Sequence, residues 1–124
     1  MRAIVEETPT QHSVDSLTES LRHEPGLACL RTGSFDVRSA RYSFVAVRPM
    51  LTFRAYGSRC EVARDGVVTV QYGDPWQLLA PLLAGYELLE ESEVPFPLGG
   101  CFGYWGYELK QFVEPRLARH AVND

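Results

Sequence analysis

The chain has 124 residues and a mass of 14.0 kDa, which is one ordinary domain with little left for a second. Hydrophobic residues at 45% and charged residues at 23% are globular proportions, against both disorder and a coiled-coil rod. A net charge of −4 opposes a nucleic-acid surface, no apolar run approaches the ~20 residues of a membrane span, and the first residues lack the apolar core of a secretory signal, so the expected compartment is the cytoplasm.

In chain order, residues 2–7 (RAIVEE) predict a short first strand. Val14, Leu17 and Leu21 recur at helical spacing, predicting a helix over 13–22 that Pro25-Gly26 ends. Residues 27–32 (LACLRT) are apolar enough to predict a buried strand closing at Gly33. Two further strands are predicted at 42–47 (YSFVAV) and 51–56 (LTFRAY), parted by Arg48-Pro49. In the second, Leu51, Phe53 and Ala55 alternate with Thr52, Arg54 and Tyr56. Asp65-Gly66 between 59–63 and 67–72 is a hairpin signal, since a type I′ turn needs positive φ at both central residues. Asp74-Pro75 opens a helix carrying Trp76, Leu79 and Leu83, which Pro81 should kink and Gly85 end. An acidic connector fills 87–93, and the glycines of 95–110 predict a strand that another element approaches closely. The fold class is therefore α+β, mainly antiparallel sheet with two or three helices, in a single domain over 1–124.

Charge is unevenly spread. Seven arginines lie from Arg31 to Arg64 against Asp36 and Glu61, whereas 65–93 holds six acids and no base. The simplest expectation is that the two blocks face each other. His12, His23 and His120 lack metal-ligand spacing, no serine has a nucleophile-elbow context, and the expectation is no catalytic residue and no metal ligand. Cys29, Cys60 and Cys101 are odd in number and widely spaced, against a disulfide framework; each reads as a small buried hydrophobe.

Two segments stand out. Residues 95–110 (PFPLGGCFGYWGYELK) interleave four glycines with Phe102, Tyr104, Trp105 and Tyr107. They match neither a P-loop nor a dinucleotide fingerprint, and packing is the physical reading. Residues 30–33 (LRTG) and 41–44 (RYSF) place Thr32, Arg41, Tyr42 and Ser43 near strand ends. Hydroxyls and one guanidinium suit the carboxylate and ammonium of an amino acid. On physical grounds Arg41 reads first as an edge charge facing Asp36 or the acidic block.

LRTG (30–33), ARYSFVAVRP (40–49), DPWQLLAPLL (74–83) and PFPLGGCFGYWGYELK (95–110), in this order, resemble the N-terminal region of the large subunits of aminodeoxychorismate synthase and anthranilate synthase. The resemblance covers about residues 27–113. Its most specific piece is the last, similar to P-F-x-G-G-x-x-G-Y-x-G-Y-[DE], from which the chain departs by the extra Leu98. Anthranilate synthases usually carry L-L-E-S where this chain has Leu30-Arg31-Thr32-Gly33, and 106–110 (GYELK) is more similar to the aminodeoxychorismate side.

The resemblance implies an N-terminal scaffolding region that binds an amino acid such as tryptophan, through Leu30, Thr32, Arg41, Tyr42 and Ser43. The parent reaction it implies is amination of chorismate, in the p-aminobenzoate and folate pathway, with ammonia from a glutamine amidotransferase subunit or domain. Magnesium is implied in a C-terminal chorismate-binding portion, and no cofactor in this chain. On that reading the chain is an inactive fragment whose exposed aromatics favour self-association. The alternatives are an anthranilate synthase region with tryptophan feedback, and a free-standing amino-acid-binding or interaction module.

Overall fold

In the computed structural model, residues 4–31, 42–87 and 94–114 are described. They are α+β: two antiparallel sheets, of two and three strands, with three α-helices, divided between two compact units. No helix among the described residues is long and apolar enough to cross a membrane.

The first unit holds described residues 4–31, 42–50 and 94–100. Its helix α1 (Val14–Ser20) starts where sequence places it, because the Ser13 hydroxyl accepts from the Ser16 N–H at 3.1 Å. Residues 4–13 are irregular, which corrects the first predicted strand over its described part. Ile4 and Val5 are exposed, and an extended segment without a ladder partner gains nothing over hydration of its backbone.

Strands β1 (Ala28–Leu30) and β2 (Phe44–Ala46) pair antiparallel, with Ala28 opposite Ala46, Cys29 opposite Val45 and Leu30 opposite Phe44. Both predicted strands exist, but β1 is not buried: Leu30 is 55% exposed and Cys29 is exposed as well. Helix α1 packs against β2, and a ribbon of two short strands has too little surface to cover β1 on both faces.

What fixes this pairing is a clamp at its other end. The Arg48 N–H donates to the Pro25 carbonyl at 2.8 Å. Its guanidinium Nε and Nη2 donate to the two Glu24 carboxylate oxygens at 2.6 and 2.7 Å. Gly26 (φ 67) lies so close to Pro49 that a Cβ there would stand 2.5 Å from the proline Cδ. Arg48 itself sits at φ 56, a conformation unfavourable for a residue with a Cβ, held by these bonds.

The second unit holds described residues 51–87 and 101–114. Strands β3 (Leu51–Tyr56), β4 (Arg59–Arg64) and β5 (Val67–Tyr72) form one antiparallel meander in that order. The Asp65-Gly66 turn has φ of 52 and 77, the type I′ geometry the dipeptide predicts. The β3–β4 turn instead places Gly57 first at φ 59, with Ser58 outside the positive region, as type II′ requires. Register puts Leu51, Phe53, Cys60, Val62, Arg64, Val67 and Thr69 on one face.

Helix α2 (Pro75–Ala84) begins at Asp74, whose carboxylate accepts from the Trp76 N–H at 2.9 Å. Pro81 lies inside it, and Gly85 follows as its cap with φ −66, a right-handed value that any residue adopts. Pro81, Leu82 and Tyr86 face Leu51, Val62, Val67 and Thr69 across a cleft of about 570 Å³. The core is small: Cys60 is wholly buried, with Leu79 and Pro75 the other buried residues among those described. Consequently β3 does not show the expected alternating burial; Leu51–Phe53 are half-buried and Arg54 to Tyr56 are exposed.

Residues 94–106 form no strand, and a 3-10 turn over Tyr107–Leu109 leads into a short helix α3 (Lys110–Val113). The close approach expected at the glycines is also corrected, since no described atom lies within 4 Å of a Cβ built at Gly99, Gly100, Gly103 or Gly106. Phe102, Tyr104, Trp105 and Tyr107 are exposed, although the Trp105 ring still meets Trp76 at 4.7 Å between centroids.

The two charge blocks do not pair as expected among the described residues. Arg31 pairs with Asp15, Arg48 with Glu24 and Arg59 with Glu61, all acids outside 65–93. Among the described residues only Arg64 reaches that block, at its sequence neighbour Asp65 (3.5 Å). Part of the acidic connector, 88–93, lies outside the described residues.

The turn and cap geometries set distinct stability changes. Gly66→Val forces a β-branched residue to positive φ and is expected to cost more than ~1 kcal/mol in urea unfolding. Asp74→Ala removes the α2 cap, at about 1 kcal/mol. Gly85→Ala, at an ordinary φ, is expected to leave stability unchanged or raise it by up to ~1 kcal/mol.

Candidate functional site

The antiparallel register of β1 and β2 decides which candidate residues meet. Leu30 ends β1 opposite Phe44, which starts β2, so Leu30 lies at the same end of the ribbon as Tyr42 and Ser43. Thr32 and Arg41 adjoin these positions in sequence but lie outside the described residues. Ser43 and Tyr42 are exposed, and the Tyr42 ring meets Phe96 with centroids 5.4 Å apart and planes tilted by 58°. Offset, tilted packing of this kind suits the quadrupoles of two rings.

This end of the ribbon offers an aliphatic surface at Leu30, an aromatic pair at Tyr42 and Phe96, and a hydroxyl at Ser43. Such a combination can cover an apolar side chain and accept from or donate to one polar group. Phe96 is the member that sequence reasoning did not assign to the site. Its signal was the Pro95-Phe96-Pro97 triplet, in which two fixed φ angles hold the ring between them. Arg31, next to Leu30, is engaged instead by Asp15 of α1 at 2.5 Å, with both side chains exposed.

Electrostatics elsewhere are modest. The Glu24 carboxyl is held below its ordinary value, chiefly by its hydrogen bonds from Arg48, opposed in part by burial. Glu61 first, and Tyr72 to a lesser degree, hold the Arg59 guanidinium above its ordinary value. Burial pushes the Cys60 thiol up, with the negative charge of Asp74 adding to it. The expectation that all three cysteines are buried is corrected: Cys29 and Cys101 are exposed, because the strand and the glycine-rich segment that carry them are uncovered. His12 and His23 lie on the surface, beside Ser16 and Arg22 respectively. Among the described residues, no three His, Cys, Asp or Glu side chains gather as a metal site.

Comparison with known proteins gives a direction. The chain is 36% identical over 78 residues to anthranilate synthase component 1 of Synechocystis, covering 62% of this chain and 15% of that protein. It is 31% identical over 80 residues to anthranilate synthase component 1 of Pseudomonas aeruginosa, covering 63% and 16%. It is 27% identical over 116 residues to aminodeoxychorismate synthase component 1 of Escherichia coli, covering 90% and 25%. The likeness is to the chorismate-utilising synthases. It supports that family and singles out no member of it, since the higher identity and the wider coverage fall on different enzymes. The chain spans between 15% and 25% of the length of these relatives. No family model and no solved structure matches it.

The thiols give a direct check of the local environments. Cys29 and Cys101 are expected to alkylate rapidly in the folded chain, and Cys60 only on unfolding, as read by mass spectrometry of modified peptides. The folded chain holds the Cys60 proton more tightly than the unfolded chain does. Its contribution to stability is therefore full below the ordinary thiol pKa and lost as pH climbs through the raised value. Cys60→Ala should flatten that alkaline loss.

Proposed function

We propose that the chain is the N-terminal amino-acid-binding and scaffolding region of an aminodeoxychorismate synthase large subunit. In this reading Leu30 and Tyr42 cover the ligand's side chain, with Phe96 behind Tyr42. The Thr32 and Ser43 hydroxyls accept from its ammonium group, and Arg41 offers its planar donor fork to the carboxylate. A zwitterion needs both kinds of partner, because desolvating either charge unpaired exceeds the gain from apolar contact. The observation that carries the reading is the register of Leu30 against Phe44, which gathers Leu30, Tyr42 and Ser43 at one end of the ribbon.

The whole protein would aminate chorismate with ammonia from a glutamine amidotransferase partner. Its magnesium and chorismate would be held by a C-terminal portion with this region as scaffold. The likeness to aminodeoxychorismate synthase component 1 over 90% of the chain supports this branch, as does the resemblance of 106–110 (GYELK) to that side. The second reading is anthranilate synthase with tryptophan feedback, favoured by the 36% identity to a component 1 of that enzyme.

Titrating L-tryptophan into the chain while recording amide shifts by NMR tests the site. Shifts should centre on Leu30, Tyr42, Ser43 and Phe96, with weak affinity, and vanish in Thr32→Ala and Arg41→Ala. Binding that both substitutions leave intact, or shifts centred on α2, would overturn the assignment. For the branch, the protein is paired with its amidotransferase and supplied with chorismate, glutamine and magnesium. Aminodeoxychorismate as product supports the first reading and anthranilate the second.

A further inference from the structure

Residues 101–107 (CFGYWGY) of the second unit carry no charge, four aromatic rings and two glycines. Trp105 is seated on Trp76 of α2, while Tyr104 and Tyr107 are 92% and 79% accessible and Phe102 is exposed as well. The backbone is as open as the rings. From 101 to 105 no N–H or C=O group has a hydrogen-bond partner among the described residues. Gly106 is extended, with φ −67 and ψ 146.

The glycines narrow what this surface meets. Glycine loses more backbone entropy on folding than any other residue, and two needs offset that loss, a positive φ or a close approach. Gly103 and Gly106 have neither among the described residues. Both lie outside the left-handed region, and a Cβ built on either meets nothing within 4 Å. A neighbouring strand supplies the second need, because its large side chains pack over glycine positions.

We propose that 101–106 is a docking strand for the C-terminal portion of the parent large subunit, which pairs one apolar strand with its backbone and lays bulky side chains over Gly103 and Gly106. The proposal rests on the reading of this chain as the N-terminal region of such a subunit. Length favours that occupant, since the chain spans only 15% to 25% of its relatives and most of each relative lies beyond the match. Chemistry favours it too. With no ionic group, the segment offers a partner backbone hydrogen bonds and apolar contact, the terms on which an added strand binds. A surface this apolar suits permanent cover within one protein rather than a subunit that comes and goes.

Amide hydrogen exchange of the isolated chain and of the whole large subunit tests this. In the chain, amides 101–106 should exchange at nearly unprotected rates. In the subunit, alternate amides of 101–106 should slow by at least about tenfold, the signature of pairing along one edge. Gly103→Val should leave the urea midpoint of the chain unchanged, since valine suits extended backbone and finds open space, yet return those amides of the subunit to fast exchange. If that variant misfolds, the wild-type comparison decides. Fast exchange in both proteins, or slowing without alternation, would overturn the pairing. Slowing in the chain alone as its concentration rises would give the strand to a second copy, and slowing that needs added amidotransferase would give it to that subunit; either overturns the proposal. Product formation separates the two readings. A subunit that aminates chorismate with 101–106 still open refutes the pairing alone, whereas one that forms neither aminodeoxychorismate nor anthranilate refutes the reading beneath it.

Discussion

The first unit depends on one junction: the turn at Glu24 to Gly26 locked against Arg48-Pro49. A ribbon with three cross-strand pairs is marginal in water, because it buries little and leaves two open edges. Its strands are separated by more than a dozen residues of chain, and closing that loop costs entropy before any ladder bond forms. The Arg48 N–H on the Pro25 carbonyl, the forked pair with Glu24 and the Pro49 ring over Gly26 bring the strands together at their far end. Coulomb attraction in so exposed an ion pair contributes little; the forked geometry supplies direction, fixing which residue of β2 faces which residue of β1. That register then carries Leu30, Tyr42 and Ser43 to one end, where Phe96 stacks. A slip by one residue would send each side chain to the opposite face.

The second unit is organised differently, by short-range signals that succeed one another along the chain. Two tight turns fold β3 to β5 into a meander, and the Asp74 cap starts α2 two residues after β5 ends. Little of this depends on a large core. Cys60 and Leu79 are buried, while Trp76 and Tyr86 keep a buried Nε1 and hydroxyl without partners among the described residues.

This contrast explains what was legible in the sequence. Asp65-Gly66 and Asp74-Pro75 were readable because the constraint lies within two or three residues: a positive φ, a capping carboxylate, a proline that gives up no N–H. Residues 4–7 and 95–110 were misread because strand formation needs a partner, which composition cannot supply. The apolar character of 27–32 signalled a strand correctly and burial wrongly, since burial is decided by what packs on Leu30 and Cys29 rather than by their own chemistry. The candidate site was half legible: Tyr42 and Ser43 were identifiable from residue chemistry and family likeness, whereas Phe96 joined them through a contact across more than fifty residues.

The most direct measurement is amide hydrogen exchange of the native chain beside Arg48→Ala. Removing the guanidinium should strip protection from the amides of β1 and β2 while leaving those of β3, β4 and β5 unchanged. Equal protection of β1 and β2 in both chains would contradict the clamp as the source of their register, and with it the placement of Leu30, Tyr42 and Ser43 together.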